Sequence, residues 1–425
     1  MTEQTWRGGV PAVTAAEQDL FVQTERQRRF VALAAELADR FAGRAALYDR
    51  ENTFPFENFS ELKAAGYTRL TVPAEWGGEG ANLTEMLLAQ ERLARGDGAT
   101  ALAVGWHLAV VGKLAETRAW PADATERIFR AVAERGALIN SAASEVETGS
   151  PSRGGRPTTT ARRAPGGWIL TGRKSFTSLA PALDYAVVSA SFEGSDRGGW
   201  FLVRMQSPGV TVAETWDALG MRATGSHDLI LQDVTVEDDD LLEEFGPGST
   251  CQVGMGAGAG WALHIPAVYL GIARAAQDFA LAYARNRRPN SLPGPIADQP
   301  HIQALLGQNE VDLLAGRSTL YTVANRWDAE PGRRGDLVPL LGAAKVLAVN
   351  LALQVVDRAM RVVGIAGLSR QLPLERLYRD VRAGLHNPPM EDAVLVNLAR
   401  AALARRASDS ATNQGGESGY GDHAH

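Results

Sequence analysis

Two changes of periodicity, one near residue 137 and one near residue 242, divide the 425-residue chain into three blocks of different texture. From 23 to about 135 the pattern is helical, with Ala-, Leu- and Arg-rich segments broken at 52–55, at 73–80 and around Pro121. From 137 to about 242 short β-rich runs take over, at 168–170, 185–191, 200–205 and 229–236, separated by turns such as Pro165-Gly166-Gly167 and Ser207-Pro208-Gly209. Helices return after a Gly-rich segment at 245–260 and continue to about 407. Each texture needs its own packed core, so the chain predicts an α+β protein of three units. The predicted boundaries are a flexible N-terminus at 1–22, an α-helical domain at 23–136, a β domain at 137–245, a helical bundle at 246–407 and a disordered polar tail at 408–425.

Within the third block, Val349, Leu353, Val356, Met360 and Val363 alternate four and three apart, the seam of a bundle helix. Prolines at 289, 293, 295 and 300 mark a long connection between helices. The stretch 254–273 holds no Asp, Glu, Lys or Arg, but its glycines, His264 and Pro266 fit a buried helix behind a Gly-rich loop better than a membrane span. The balance of 43 basic against 49 acidic residues offers no footprint for a nucleic-acid backbone, so neither nucleic acid nor membrane is an expected partner. One cysteine, Cys251, excludes an intrachain disulfide and a thiolate metal cluster, no metal site is expected, and a cytoplasmic location follows.

Four segments occur in a telling order. They are Val72-Pro73-Ala74-Glu75-Trp76-Gly77-Gly78, Ser144-Glu145-Val146-Glu147-Thr148-Gly149-Ser150, Leu170 through Thr171-Gly172-Arg173-Lys174-Ser175-Phe176-Thr177 to Ser178, and Leu219-Gly220-Met221-Arg222-Ala223-Thr224-Gly225-Ser226. Each resembles a segment of the acyl-CoA dehydrogenase superfamily, as do 283–288 and 373–380 in the bundle. The resemblance implies that family's fold, an N-terminal α-helical domain, a middle β-barrel domain and a C-terminal four-helix bundle, with FAD, or FMN, as cofactor. By the same resemblance Ser144, Ser150 and Ser178 lie on the flavin side of the β domain and Phe176 walls the flavin ring. Arg287 matches an arginine that reaches the cofactor's pyrophosphate in a neighbouring subunit, and Gly364 and Gly367 match a turn against the adenosine half. A homotetramer is therefore expected. A guanidinium suits the phosphate contact because its forked donors match phosphate oxygens.

A dehydrogenase of this family needs a carboxylate to take a proton from the carbon beside the thioester. Its place after the Arg379-Asp380 pair falls here on Asn387 or Pro388, and the alternative place on the helix opening the bundle falls on or beside Trp261. Neither is an acid. Glu391 and Asp392 follow the usual place by a few residues. The sequence Leu385-His386-Asn387-Pro388 resembles a segment of the flavin monooxygenase branch, which also carries a histidine matched by His107 and a serine matched by Ser178. Imidazole can donate or relay a proton near neutral pH. The expected activity is thus a flavin-dependent oxidoreductase. One form is a reduced-flavin monooxygenase of a small organic substrate, supplied by a flavin reductase, with His107, Ser178 and His386 as its catalytic residues and Trp261, Asn387 and Glu391 in the substrate pocket. The alternatives are a dehydrogenase of an acyl-CoA with its base moved to Glu391 or Asp392, and a non-catalytic protein that kept the fold.

Overall fold

The computed structural model describes residues 19–148, 155–246 and 259–414, with side chains described up to 403. The first helix, α1 (Glu25–Ala42), starts at a reciprocal cap: Thr24 Oγ1 accepts from Gln27 N while Gln27 Oε1 accepts from Thr24 N. Asn82 and Glu85 open α4 (Leu83–Ala94) in the same way. The short helices α2 (Ala45–Glu51) and α3 (Phe56–Ala64) and the longer α6 (Ala122–Arg135) complete the block, in which α1 packs on α4 and α4 on α5 (Gly98–Thr117). Both α4 and α5 are buried around most of their circumference, and α5 is apolar on nearly every side, as suits a helix enclosed by others. α5 is long and apolar enough to cross a membrane, yet 78% of its most apolar window is buried in protein, as expected of a core helix. The flexible N-terminus expected up to residue 22 is corrected at its end. Asp19 accepts from Arg317 at 2.6 Å, and Phe21 lies under the same guanidinium and against Tyr321, so the chain is anchored by 19–21.

The middle block forms one eight-stranded sheet from β1 (Ile139–Ala142), β2 (Thr160–Ala164), β3 (Gly167–Thr177), β4 (Tyr185–Phe192), β5 (Gly198–Arg204), β6 (Val210–Ala213), β7 (His227–Glu237) and β8 (Leu241–Phe245). Its order is β6-β7-β3-β2-β4-β5-β8, with β1 parallel to β4 beside the shorter β2 to β4 pairing. Among the described residues β6 pairs only with β7 and β8 only with β5, so there the sheet does not close between β6 and β8. The β3 to β7 register shifts between Lys174 and Thr177. That irregularity re-aims the end of β3.

The bundle consists of α7 (His264–Asn286), α8 (Pro300–Ala329), α9 (Arg334–Val363), α10 (Leu374–Arg382) and α11 (Glu391–Gln414). Along the seam read from the sequence, Val349, Val356 and Val363 are buried, while Leu353 and Met360 are half-buried. The expected tail boundary is corrected: the backbone of α11 stays helical to Gln414, where the sequence predicts disorder from 408. Cys251 lies outside the described residues.

Three glycines on α5 decide how the first block meets the bundle. Gly98, Gly105 and Gly112 recur every seven residues and lie on nearly one helix face. A Cβ on each would stand 2.6 Å from Ile272, 2.5 Å from His264 and 2.4 Å from Trp261, so three large side chains of the α7 segment seat directly on bare backbone. Gly112→Ala is expected to cost about 1 to 3 kcal/mol by overpacking. Thermal denaturation checks this, and an unchanged Tm would show that Trp261 is not fixed there.

Candidate active site

Two β-domain segments, the end of β3 and the chain just after β1, are joined by a buried ion pair. Lys174 on β3 and Glu145, just after β1, have fully buried side chains with Nζ 2.6 Å from Oε1. Glu145 also accepts from the hydroxyls of Thr158 and Thr159 at 2.7 and 2.6 Å and from both their backbone N–H groups, while Lys174 donates to Ser189 Oγ at 3.1 Å. Burial opposes the charge, but Lys174 and this set of donors outweigh it and hold the Glu145 carboxyl at about 2. Beside the pair, Ser175 N donates to Ser144 O at 2.9 Å, which fixes Ser144 against β3.

Two residues later the backbone of Phe176 enters the left-handed region, φ +57°, and Leu179 repeats it at +71°. Non-glycine residues adopt that conformation only where the surroundings impose it. The result is a Phe176 side chain that is 65% exposed, with its ring edge-on to Trp216 at 6.2 Å. Ser178 turns inward. Its Oγ meets Ser226 Oγ at 2.8 Å, Ser226 Oγ meets Thr224 Oγ1 at 2.7 Å, and Thr224 Oγ1 donates to Met221 O. Met221 N donates in turn to the buried carboxylate of Asp380 on α10 at 2.6 Å. A chain of hydrogen bonds therefore runs from the bundle to Ser178. Asn140 on β1 donates to Ser178 O at 2.9 Å, a positioning contact that the sequence reading missed because it spans 38 residues.

On the bundle side, Asn387 is one of the two residues, with Pro388, on which the resemblance puts the base's place, and its Oδ1 accepts from the hydroxyl of buried Tyr269 at 2.5 Å. Trp261, at the alternative place, is 5% exposed and donates to Glu116 Oε2 at 3.2 Å. Glu116 also receives Trp327 Nε1 at 3.0 Å and lies 3.2 Å from Arg334, so it clamps two indoles rather than facing a substrate. Glu391 accepts from Asn350 of α9 at 3.2 Å. His386 is exposed on the turn between α10 and α11, its backbone N–H held by Ala383 O.

His107 is corrected. It is fully buried, and its two ring nitrogens are engaged by backbone: Nε2 donates to Thr68 O at 2.8 Å and Nδ1 accepts from Ile139 N at 3.1 Å. Burial, only partly offset by those bonds, pushes its pKa down to about 4. His107 is a neutral joint between α5 and β1 with no nitrogen left to move a proton. Another imidazole, His264, is also fully buried, with no hydrogen bond at either nitrogen among the described residues, and sits edge-on to Trp106 at 4.7 Å.

Arg287, at the end of α7, is exposed and forms no side-chain ion pair among the described residues. Gly364 ends α9 with φ +69° and open space where a Cβ would stand, while Gly367 is buried against Met360. Ile365 between them is 86% exposed. Ser150 lies outside the described residues. These features fit a flavin. The free Phe176 face suits an apolar ring, the buried hydroxyls of Ser175 and Thr177 have no partner among the described residues, and a guanidinium unpaired among them, with a bare glycine turn, suits a phosphate-bearing tail.

Known proteins agree. The N-terminal, middle and C-terminal domain models of the acyl-CoA dehydrogenases match residues 24–119, 140–234 and 261–385. The putative acyl-CoA dehydrogenase YdbM of Bacillus subtilis is 48% identical over 90% of this chain and 99% of its own. L-evernosamine nitrososynthase of a Micromonospora species is 33% identical over 85% of this chain and 86% of its own. A structure of KijD3 in complex with FMN and a dTDP-linked 3-amino-4-keto sugar superimposes with a TM-score of 0.80 at 30% identity, covering 93% of this chain and 97% of that one. With three domain models matched in order over the described architecture, the chain belongs to the acyl-CoA dehydrogenase family of flavin-dependent oxidoreductases.

Proposed function

We propose that this protein is a reduced-flavin monooxygenase acting on a small organic substrate. The observation that carries this reading is the chemistry of the two base positions. Asn387, hydrogen-bonded to Tyr269, and Trp261, clamped by Glu116, leave neither place able to take a proton from carbon. The nitrososynthase relative and the amino-sugar complex of KijD3 support the same branch. When bound in its reduced form, FAD or FMN supplies the electrons with which dioxygen is activated. The protein's own part is then to hold and to protonate. Phe176 gives the ring an apolar wall, Ser178 offers a hydroxyl oriented by Ser226 on a backbone held by Asn140, and His386 delivers or relays a proton. A separate flavin reductase would supply the reduced cofactor.

Arg287 pairs with the cofactor's phosphate across a subunit boundary in a homotetramer. Arg287→Ala is expected to weaken flavin binding by about 1.5 to 3 kcal/mol without unfolding the chain. Flavin titration monitored by fluorescence measures this, and an unchanged Kd removes the role.

The alternative, an acyl-CoA dehydrogenase with a displaced base, draws support from the name of the Bacillus relative. It requires Glu391, bonded here to Asn350, or Asp392 to act as the base. Mixing the oxidised flavoprotein with a panel of acyl-CoA thioesters under anaerobic conditions separates the two. The monooxygenase reading expects no loss of flavin absorbance, and rapid bleaching by any thioester overturns it.

A further inference from the structure

The chain holds 39 arginines but only four lysines, at 63, 113, 174 and 345. Lys174 is explained by Glu145. Lys345 is not: it lies in the middle of α9, only 2% exposed, and has no hydrogen bond or ion pair among the described residues.

Its place on the helix fixes what lies above it. Gly342, Lys345 and Val349 follow one another at spacings of three and four, hence on one face of α9. Gly342 packs against Val394 of α11, where a Cβ would stand 3.0 Å from a valine methyl. Val349 packs against Gly384, just before the turn, in the same manner at 2.9 Å. Lys345 therefore lies on α9 between its contacts with Gly384 and Val394, the residues on either side of the turn 385–390 that carries His386 and Asn387. Of the ionisable groups around this turn, Tyr269 of α7 is bonded to Asn387, His386 is exposed on the turn itself, and Glu391 stands at the start of α11. Glu391 does not pair directly with the amine, since its Oε1 accepts from Asn350, but its charge reaches Lys345 through space.

An unpaired ammonium in this position is costly, and an apolar side chain of the same length would fit with less penalty. Arginine, which this chain uses for most of its cations, cannot serve as a base because it stays protonated. A buried amine can, since burial favours its neutral form, while a nearby carboxylate stabilises the ammonium once a proton arrives. Burial does lower the Lys345 pKa, against an opposing effect of Glu391.

We propose that Lys345 is the proton-accepting residue of this site, taking a proton from a nitrogen or oxygen of the substrate onto Nζ. The substrate's heteroatom–hydrogen bond breaks, its electron pair remains on the heteroatom for attack on the activated oxygen, and Nζ becomes an ammonium beside Glu391. This rests on the monooxygenase reading, and it restricts the substrate to molecules with a removable heteroatom proton, such as an ammonium or a phenol.

With four lysines, the purified protein can be labelled with ε-13C-lysine and titrated by NMR, Lys345 being assigned by Lys345→Met and Lys345→Arg. The expected result is a Lys345 signal that titrates below the ordinary lysine range of about 10.4 and moves lower still in Glu391→Gln. Lys345→Met is expected to raise Tm. Product formation from a panel of primary amines and phenols, with reduced flavin and oxygen, should be lost in both Lys345 variants. The acid limb of its pH profile should shift to lower pH in Glu391→Gln, because the base works when neutral. Titration with the surface lysines, a lowered Tm in Lys345→Met, or full turnover in Lys345→Arg overturns the assignment. Failure of the monooxygenase reading is seen separately, as anaerobic bleaching of the wild type by acyl-CoA. In that event bleaching at the wild-type rate by Lys345→Arg overturns the proton-accepting role, and loss of bleaching upholds it.

Discussion

Lys174→Ala is expected to destabilise the protein by about 3 to 5 kcal/mol, because it strands Glu145 as an uncompensated charge with a fully buried side chain. Thermal denaturation of the flavin-free protein measures the loss, and flavin titration measures its consequence, since Ser144 and Phe176 are placed by the two segments that the pair joins. The same pair sets an acid limit. The Glu145 carboxyl is held at about 2, below its value in an unfolded chain, so its contribution is complete above the unfolded value and is lost as pH falls toward 2. Wild-type Tm should therefore fall through that window, while a Glu145→Gln, Lys174→Met double variant should lose this part of the acid sensitivity. Equal acid sensitivity in the two proteins would place the titration elsewhere.

His386→Ala is expected to leave flavin bound and to lower product formation by about a hundredfold, as removal of a general acid commonly does. The residue is exposed on its turn, so no packing is lost and Tm should not change. Single-turnover kinetics of the reduced, flavin-loaded protein with oxygen and substrate is the appropriate measurement. Full turnover in the variant removes the relay and leaves the proton to solvent or to Tyr269.

The fold was legible because its signals are local. Turn residues delimit β3 and β4, the seam from Val349 to Val363 marks α9, and the four ordered motifs identify the family. Counting along those motifs pointed to Asn387 and Trp261, and their hydrogen bonds with Tyr269 and Glu116 could not be read from the sequence. Asn140, the threonines around Glu145 and the contacts of α9 on either side of the turn 385–390 were not legible, since each joins residues far apart in sequence. His107 misled for a physical reason. A histidine in a helix looks the same in sequence whether its nitrogens face a cofactor or two backbone groups, and here they face Thr68 and Ile139. The glycines of α5, locally unfavourable in a helix, are explained only by the side chains of the α7 segment that rest on them.

The most direct measurement of the central claim is oxygen uptake by the protein loaded with chemically reduced flavin, followed with 18O2 in the presence of a small-molecule panel and, separately, of acyl-CoA thioesters. Rapid oxygen consumption and one labelled oxygen atom in a small-molecule product are expected, with the acyl-CoA thioesters left saturated. No label in any small-molecule product, together with conversion of a saturated acyl-CoA to its enoyl form once the bound flavin has been reoxidised, would contradict it.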